Sequence, residues 1–288
     1  MSTENNADVL RRGPVSMLFV PANRPDRFAK AAASGASAVV LDLEDAVAAV
    51  DKAAARTTIV PGLTGVPCVW RINAIGSSAY DGDMRLLERM RPDAVMLPKA
   101  EGGPAFDAFA AGLPGVPIIA LVETALGIAN ARPLAAHPAV VALAFGTLDF
   151  CVDVGAEHIR PVLDPMRMEL VLAARLAGIA APIDGVTADL RTPGAARADA
   201  EHARALGMGG KLAVHPAQIA EIGEAFLPSQ AQLDWARRVM AAGDGVAIVD
   251  GEMVDAPVKA RAARILSSTR RSARLARAGG ASSTAPAR

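Results

Sequence analysis

The sequence has only two cysteines, Cys68 and Cys151, and neither has a partner at a metal-ligating or redox spacing. That excludes a disulfide framework and a cysteine-built metal centre. Two buried thiols in a reducing compartment are the expectation. Net charge is also missing, since 30 Lys and Arg balance 30 Asp and Glu. The chain as a whole is no electrostatic match for nucleic acid or an anionic membrane. No segment reaches the ~18 uninterrupted apolar residues of a membrane helix. The polar start MSTENNADVLRRG has no apolar stretch of signal-peptide type. By elimination, a cytoplasmic enzyme or binding protein is expected. The zero balance hides an asymmetry: from Arg270 onward there are five Arg and no acid, which leaves −5 for the rest. The tail 268–288 has too few apolar residues to bury and is expected to be disordered.

Hydrophobic residues make up 52% of the 288, enough for a sizeable core. They fall in short continuous runs: SMLFV (16–20), AVVLDL (38–43), PCVWRI (67–72), DAVMLP (93–98), PIIALV (117–122), VVALAF (140–145), a weak APID (181–184) and KLAVHP (211–216). Continuous β-branched runs are how strands buried on both faces of a parallel sheet read. Alanine-rich helical patterns lie between them, at RPDRFAKAAASG, DMRLLERM and GAARADAEHARALG, with Gly35 and Gly207 at helix ends. Eight strands alternating with helices predict an α/β fold, a (β/α)8 TIM-type barrel over residues 14–217. A doubly wound open sheet is the alternative, disfavoured because no Gly-rich dinucleotide loop follows the first strand. Residues 1–13 are expected to be a flexible N-terminus. Residues 218–267 read as a C-terminal appendage: helices at 218–226 and 230–242, a hairpin in 245–258 turning at Asp250-Gly251, and a helix over 258–266.

In such a barrel the side chains at the carboxyl ends of the strands converge on one mouth. Those positions carry Glu44 and Asp45, Arg71 and Asn73, Lys99, Glu123, Asp149 and His215. Each alone reads equally as a loop residue or helix cap. Six charged strand ends in an apolar chain point to a functional mouth. Glu123 and Asp149 are the metal candidates, since two hard carboxylates suit Mg²⁺, with Mn²⁺ as the other ion of that class. No histidine cluster suggests zinc. Arg71 can clamp a substrate carboxylate or stabilise an oxyanion, or form an ion pair with Glu44. Glu44 and Asp45 are candidates for orienting waters and substrate, and Lys99 for pairing with them.

The stretches SMLFVPANRPDRFAKAAASGASAVVLDLEDAV, RIN, VMLPKAEG, ALVETALGIANA, FGTLDF, GKLAVHPAQI and DGEMVDAPV occur in that order. Together they closely resemble the citrate lyase beta-subunit-like branch of the HpcH/HpaI aldolase superfamily, over about residues 14–266. The resemblance implies a trimeric or hexameric barrel protein with Mg²⁺ at its mouth. It implies carbon–carbon cleavage or formation in 3-hydroxyacyl-CoA thioesters such as citramalyl-, malyl- or citryl-CoA, giving acetyl-CoA and a 2-oxo acid. It puts the metal on Glu123 and Asp149, and substrate contacts on Arg71, Glu123, Glu44, Asp45 and Lys99. It puts CoA contacts on Phe19, Arg24, Arg27 and His215. It also implies that Asp255 reaches a neighbouring subunit's site as the acid–base group; read alone, Asp255 is a hairpin or helix-cap residue. Two positions depart from the family pattern: Ala22 stands where a Gly is usual, and Leu148 where many members carry an acid. Alternatives are a malyl-CoA-type thioesterase and a beta subunit active only beside an acyl-carrier partner.

Overall fold

The computed structural model describes residues 6–59, 66–243 and 245–267. The expected disordered tail 268–288 lies outside them. Contacts divide the chain into two compact units between Gly223 and Glu224.

The first unit holds eight strands: Ser16–Pro21 (β1), Ala38–Asp42 (β2), Cys68–Arg71 (β3), Ala94–Leu97 (β4), Ile118–Val122 (β5), Val140–Phe145 (β6), Ile183–Asp184 (β7) and Gly210–Ala213 (β8). All pair parallel in chain order, and β1 pairs with β8 to close the barrel. That closure rules out the open sheet. β7 has only two residues, which is why its sequence signal is weak. Gly185 then ends it at a crowded point, where a Cβ would lie 2.5 Å from Thr147 Oγ1.

Side chains alternate across a strand, so inward positions recur every second residue. The barrel interior contains Met17, Ala38, Val40, Val69, Met96, Ile119, Leu121, Ala144 and Leu212. Carried one step further toward the carboxyl end, the same alternation puts Asp42, Arg71 and Glu123 inside. The polar mouth is thus a continuation of the apolar core, on the same inward rows.

The helical patterns appear as Phe28–Ala32 (after a 3-10 turn at Pro25–Arg27), Tyr80–Arg89 and Ala195–Ala205. Gly35 and Gly207 are left-handed, with φ 81° and 97°. The longest helix, Arg160–Ala177, has no counterpart among those patterns. Its prolines disguise it: Pro161 sits in the first turn, where Pro is tolerated, but Pro165 lies inside the helix, where Pro ordinarily breaks one. Within the segment 1–13 expected to be flexible, Asn6–Arg11 form a helix. Leu10 is fully buried in the interior cluster, and Asn6 donates to Asp93 (3.0 Å). One leucine in a polar stretch is too little pattern to announce a helix.

On the outer face of β7 and β8, against the helix Arg160–Ala177, lies a buried ionic cluster. Asp184 accepts from Arg167 Nε (2.8 Å) and Lys211 Nζ (3.2 Å), and Arg167 also donates to Asp164 (3.0 Å). Burial pushes the Asp184 carboxyl up, but Lys211 and Arg167 outweigh it, so its pKa lies below the ordinary value. Asp184→Asn leaves two buried cations short of charge, and breaking such a pair costs about 3–5 kcal/mol. The wild-type advantage should be full above the unfolded carboxylate pKa, about 3.9, and close as pH falls through the lower folded value. Urea midpoints measured from pH 7 down to 3 check this.

The second unit has its own small core of Ala236, Val239, Val254 and Ala262, with Trp235 packed on it and Arg261 stacked on Trp235 (4.9 Å). Its helix Gln230–Ala241 starts with a Ser229–Gln232 capping box. The hairpin Ala247–Val249 (β9) and Glu252–Val254 (β10) turns at Asp250 and Gly251. Both have positive φ (53° and 84°), as a two-residue hairpin turn requires. A helix over 256–267 follows.

Candidate active site

A cavity of about 910 Å³ opens at the carboxyl end of the barrel, and Phe19, Asp42, Arg71, Glu123, Asp149 and His215 are among its lining residues. Arg71, at the end of β3, is the best-fixed group in it. Its Nε and Nη2 donate to Asp42 Oδ1 and Oδ2 at 2.8 and 2.6 Å, a bidentate fork. Its Nη1 lies 3.0 Å from Glu44 Oε2 and 3.7 Å from Asp45. The guanidinium sits over the Phe19 ring, 4.7 Å from its centre. Burial works against this charge, but the Asp42 hydrogen bonds and the three acids outweigh it and keep Arg71 protonated. Asp42 was not among the site residues read from the sequence. The signal was the alternation itself, since 38, 40 and 42 share an inward row and the third is an acid.

Glu123, just past β5, is buried. Its Oε1 accepts from the backbone N–H of Lys99 (2.9 Å). Burial, then the charges of Glu44 and Asp149, push its carboxyl up to about 8 against that hydrogen bond and Arg71. Gly146, just past β6, leaves the room it occupies, because a Cβ there would lie 2.3 Å from Glu123 Oε2. Asp149 stands in the first turn of the helix Thr147–Val154, facing the same cavity. Gly146→Ala should therefore displace the Glu123 carboxylate. Its expected effect is a divalent-ion affinity about tenfold weaker, with the barrel still folded, as read by calorimetric titration with Mn²⁺.

The other candidates divide. Glu44 is buried between cations: Oε1 takes the Lys99 ammonium (3.3 Å), while Oε2 faces Arg71 without hydrogen-bond geometry and has no other protein donor. Burial raises its pKa against Arg71 and Lys99. Lys52 clamps this loop by donating to the Leu43 and Glu44 carbonyls at 2.8 and 2.9 Å. Asp45, Arg27 and His215 line the cavity, and the His215 Nδ1 accepts from Ala217 N–H (3.2 Å). Arg24 is not among the lining residues; its guanidinium pairs with Asp26 at 2.7 Å on the surface. Lys30, unremarked in the sequence, lines the cavity beside Arg27. Asn73 is structural, donating to Asp83 (2.6 Å) and the Leu43 carbonyl (3.1 Å). Ala22 needs no glycine, because it is not among the positive-φ residues. Leu148 lines the cavity. Asp255 caps the 256–267 helix, accepting from Val258 N–H at 3.2 Å. Gly127 is required by backbone: a Cβ would meet the Ala100 carbonyl at 2.7 Å.

Residues 15–216 match the family model described as HpcH/HpaI aldolase/citrate lyase. The chain belongs to this family. A citrate lyase subunit beta-like protein of Deinococcus radiodurans is 38% identical over 275 residues, 88% of this chain and 96% of that protein. A (3S)-malyl-CoA thioesterase of Cereibacter sphaeroides (strain ATCC 17029 / ATH 2.4.9) is 33% identical over 255 residues, 83% of this chain and 89% of its own length. The CitE protein of Mycobacterium tuberculosis, in complex with magnesium, acetoacetate and coenzyme A, superposes with TM-score 0.81 at 36% identity. The match covers 91% of this chain and 99% of that one. As a member of the HpcH/HpaI family, the chain carries its charged groups where a TIM-type barrel builds sites.

The donor set fits a hard divalent ion. Among the described residues no three His, Cys, Asp or Glu are grouped to hold a metal alone. Two carboxylates that leave the remaining positions to water and substrate oxygens are what Mg²⁺ accepts. The cradle beside Gly146 and the Glu44 oxygen lacking a donor supply the matching shape and charge. No described helix is long and apolar enough to cross a membrane.

Proposed function

We propose that this chain is a Mg²⁺-dependent carbon–carbon lyase acting on a 3-hydroxyacyl-CoA thioester such as citramalyl-, malyl- or citryl-CoA, with Mn²⁺ as a substitute ion. The observation that carries the reading is the convergence of Glu123, Asp149 and Arg71 on one cavity of about 910 Å³. Glu123 and Asp149 would hold the ion, which supplies Lewis-acid polarisation of oxygens on the acid fragment.

The chain's own groups do the rest. The hydroxyl proton passes to water in the cavity, the bond between the hydroxyl-bearing carbon and the α-carbon of the thioester breaks, and its electron pair moves toward the thioester carbonyl. Arg71, held by Asp42, offers fixed positive charge to the oxygen where that charge collects. The α-carbon then takes a proton, giving acetyl-CoA beside a 2-oxo acid. Asp255 of an adjacent copy is assigned that proton, in a homotrimer or hexamer whose 218–267 appendage reaches the next subunit. Arg27, His215 and Phe19 are assigned to the CoA side of the cavity. The proposed compartment is the cytoplasm.

Malyl-, methylmalyl-, citramalyl- and citryl-CoA, incubated with the pure protein in Mg²⁺ and again in EDTA, test this. The expected products are an acyl-CoA (acetyl-CoA, or propionyl-CoA from methylmalyl-CoA) and one oxo acid in equal amounts, in Mg²⁺ only. Free malate and CoA would establish the second reading, a thioesterase, which the 33% identical relative favours. Turnover without any added protein removes the reading as a subunit dependent on an acyl-carrier partner.

A further inference from the structure

Among the described residues, only Lys99 and Asp250 combine a non-glycine side chain with positive φ, 48° and 53°. Asp250 is explained by its hairpin turn. Lys99 is in no such turn; it follows Pro98 at the exit of β4. A left-handed backbone is disfavoured for lysine and persists only where the surroundings enforce it. Here it has a consequence. The Lys99 N–H leaves the ladder and donates to Glu123 Oε1 at 2.9 Å, while the next amide, Ala100, returns to the ladder at Leu121 O (3.0 Å). The same residue sends its ammonium to Glu44 Oε1 at 3.3 Å. Two carboxylates from different strands, Glu44 after β2 and Glu123 after β5, are thus tied to one residue after β4.

We propose that Lys99 is a positioning residue whose left-handed backbone, more than its charge, sets the Glu123 carboxylate for a divalent ion. Gly146 fixes the other side of that carboxylate, so the Lys99 amide is the one directed contact that chooses its rotation. The ammonium has a separate task, holding Glu44 so that its second oxygen faces Arg71. This inference rests on Glu123 being an ion ligand, which the control Glu123→Gln tests on its own.

The experiment is Mn²⁺ binding without substrate, read by electron paramagnetic resonance, on Lys99→Gly, Lys99→Met and Lys99→Val. Glycine tolerates positive φ, methionine keeps an unbranched chain without charge, and a β-branched residue resists the left-handed region. Lys99→Gly and Lys99→Met should bind Mn²⁺ within about threefold of wild type, while Lys99→Val loses about tenfold, the scale of an outer-shell partner. Turnover in Lys99→Met should fall with ion affinity kept, and Lys99→Arg should restore part of it. A Lys99→Val protein binding like wild type, or a Lys99→Met loss equal to that of Lys99→Val, overturns the proposal. If Lys99→Val does not fold, Lys99→Thr takes its place, with the same two outcomes. Wild-type Mn²⁺ affinity in Glu123→Gln would instead overturn the metal reading, whatever Lys99 does.

Discussion

Glu123→Gln should lower Mg²⁺-dependent turnover about a thousandfold, the upper range for one preorganised electrostatic group, and leave the barrel folded. The amide is nearly isosteric, and its oxygen can still accept the Lys99 N–H that Glu123 accepts now. What it removes is a negative charge on the proposed ion. The same change should stabilise the metal-free protein. Burial and the carboxylates of Glu44 and Asp149 raise the folded pKa of Glu123 to about 8. The unfolded chain gives up that proton near pH 4.3. Between those two values the folded state binds more protons, so wild-type stability falls as pH rises. In EDTA at pH 8 the variant should therefore melt higher than wild type. Saturating Mg²⁺ should reverse the order, because an ion that binds only the folded state stabilises it by mass action. Thermal melts with and without Mg²⁺, beside initial rates, check both halves.

Arg71→Met is expected to damage catalysis and stability together. The guanidinium makes both hydrogen bonds to Asp42, which is almost wholly buried, and lies 3.0 Å from Glu44. Methionine keeps the bulk over Phe19 but leaves Asp42 with only the backbone N–H groups of Glu44 and Ala46, and Glu44 with Lys99 as its one cation. Removing one partner of a buried pair costs about 3–5 kcal/mol. Losing one charge-stabilising donor costs about a hundred- to a thousandfold in turnover. Arg71→Lys restores charge without the planar fork, so it should recover stability better than rate. The double change Arg71→Met with Asp42→Asn should recover part of the stability and none of the rate. Urea midpoints and kcat for the four proteins separate the two effects.

The barrel was legible because its strands are short continuous apolar runs buried on both faces, and that pattern requires no knowledge of partners. Glu123 and Asp149 were legible for the same reason, as acids at the ends of runs where the barrel gathers its mouth. Asp42 was hidden inside a run, where an acid looks like a strand terminus until the inward row is traced through Ala38 and Val40. Gly146 and the backbone role of Lys99 were hidden differently. A missing Cβ and a left-handed φ have meaning only against Glu123, which arrives from another strand. Arg24, which the family resemblance places near CoA, pairs with Asp26 two residues on, a contact that the motif did not announce. The helix at Asn6–Arg11 was lost because a single buried Leu10 carries it.

The proposed metal centre requires Glu123 and Asp149 to share one divalent ion. Crystals of the protein soaked in Mn²⁺ and pyruvate, measured at an anomalous wavelength, address that point directly. One peak is expected in the mouth, with carboxylate oxygens of both Glu123 and Asp149 at about 2.1 Å, the spacing of a Mg²⁺-type site. A peak bound elsewhere in the barrel, or one touching neither carboxylate, would contradict it.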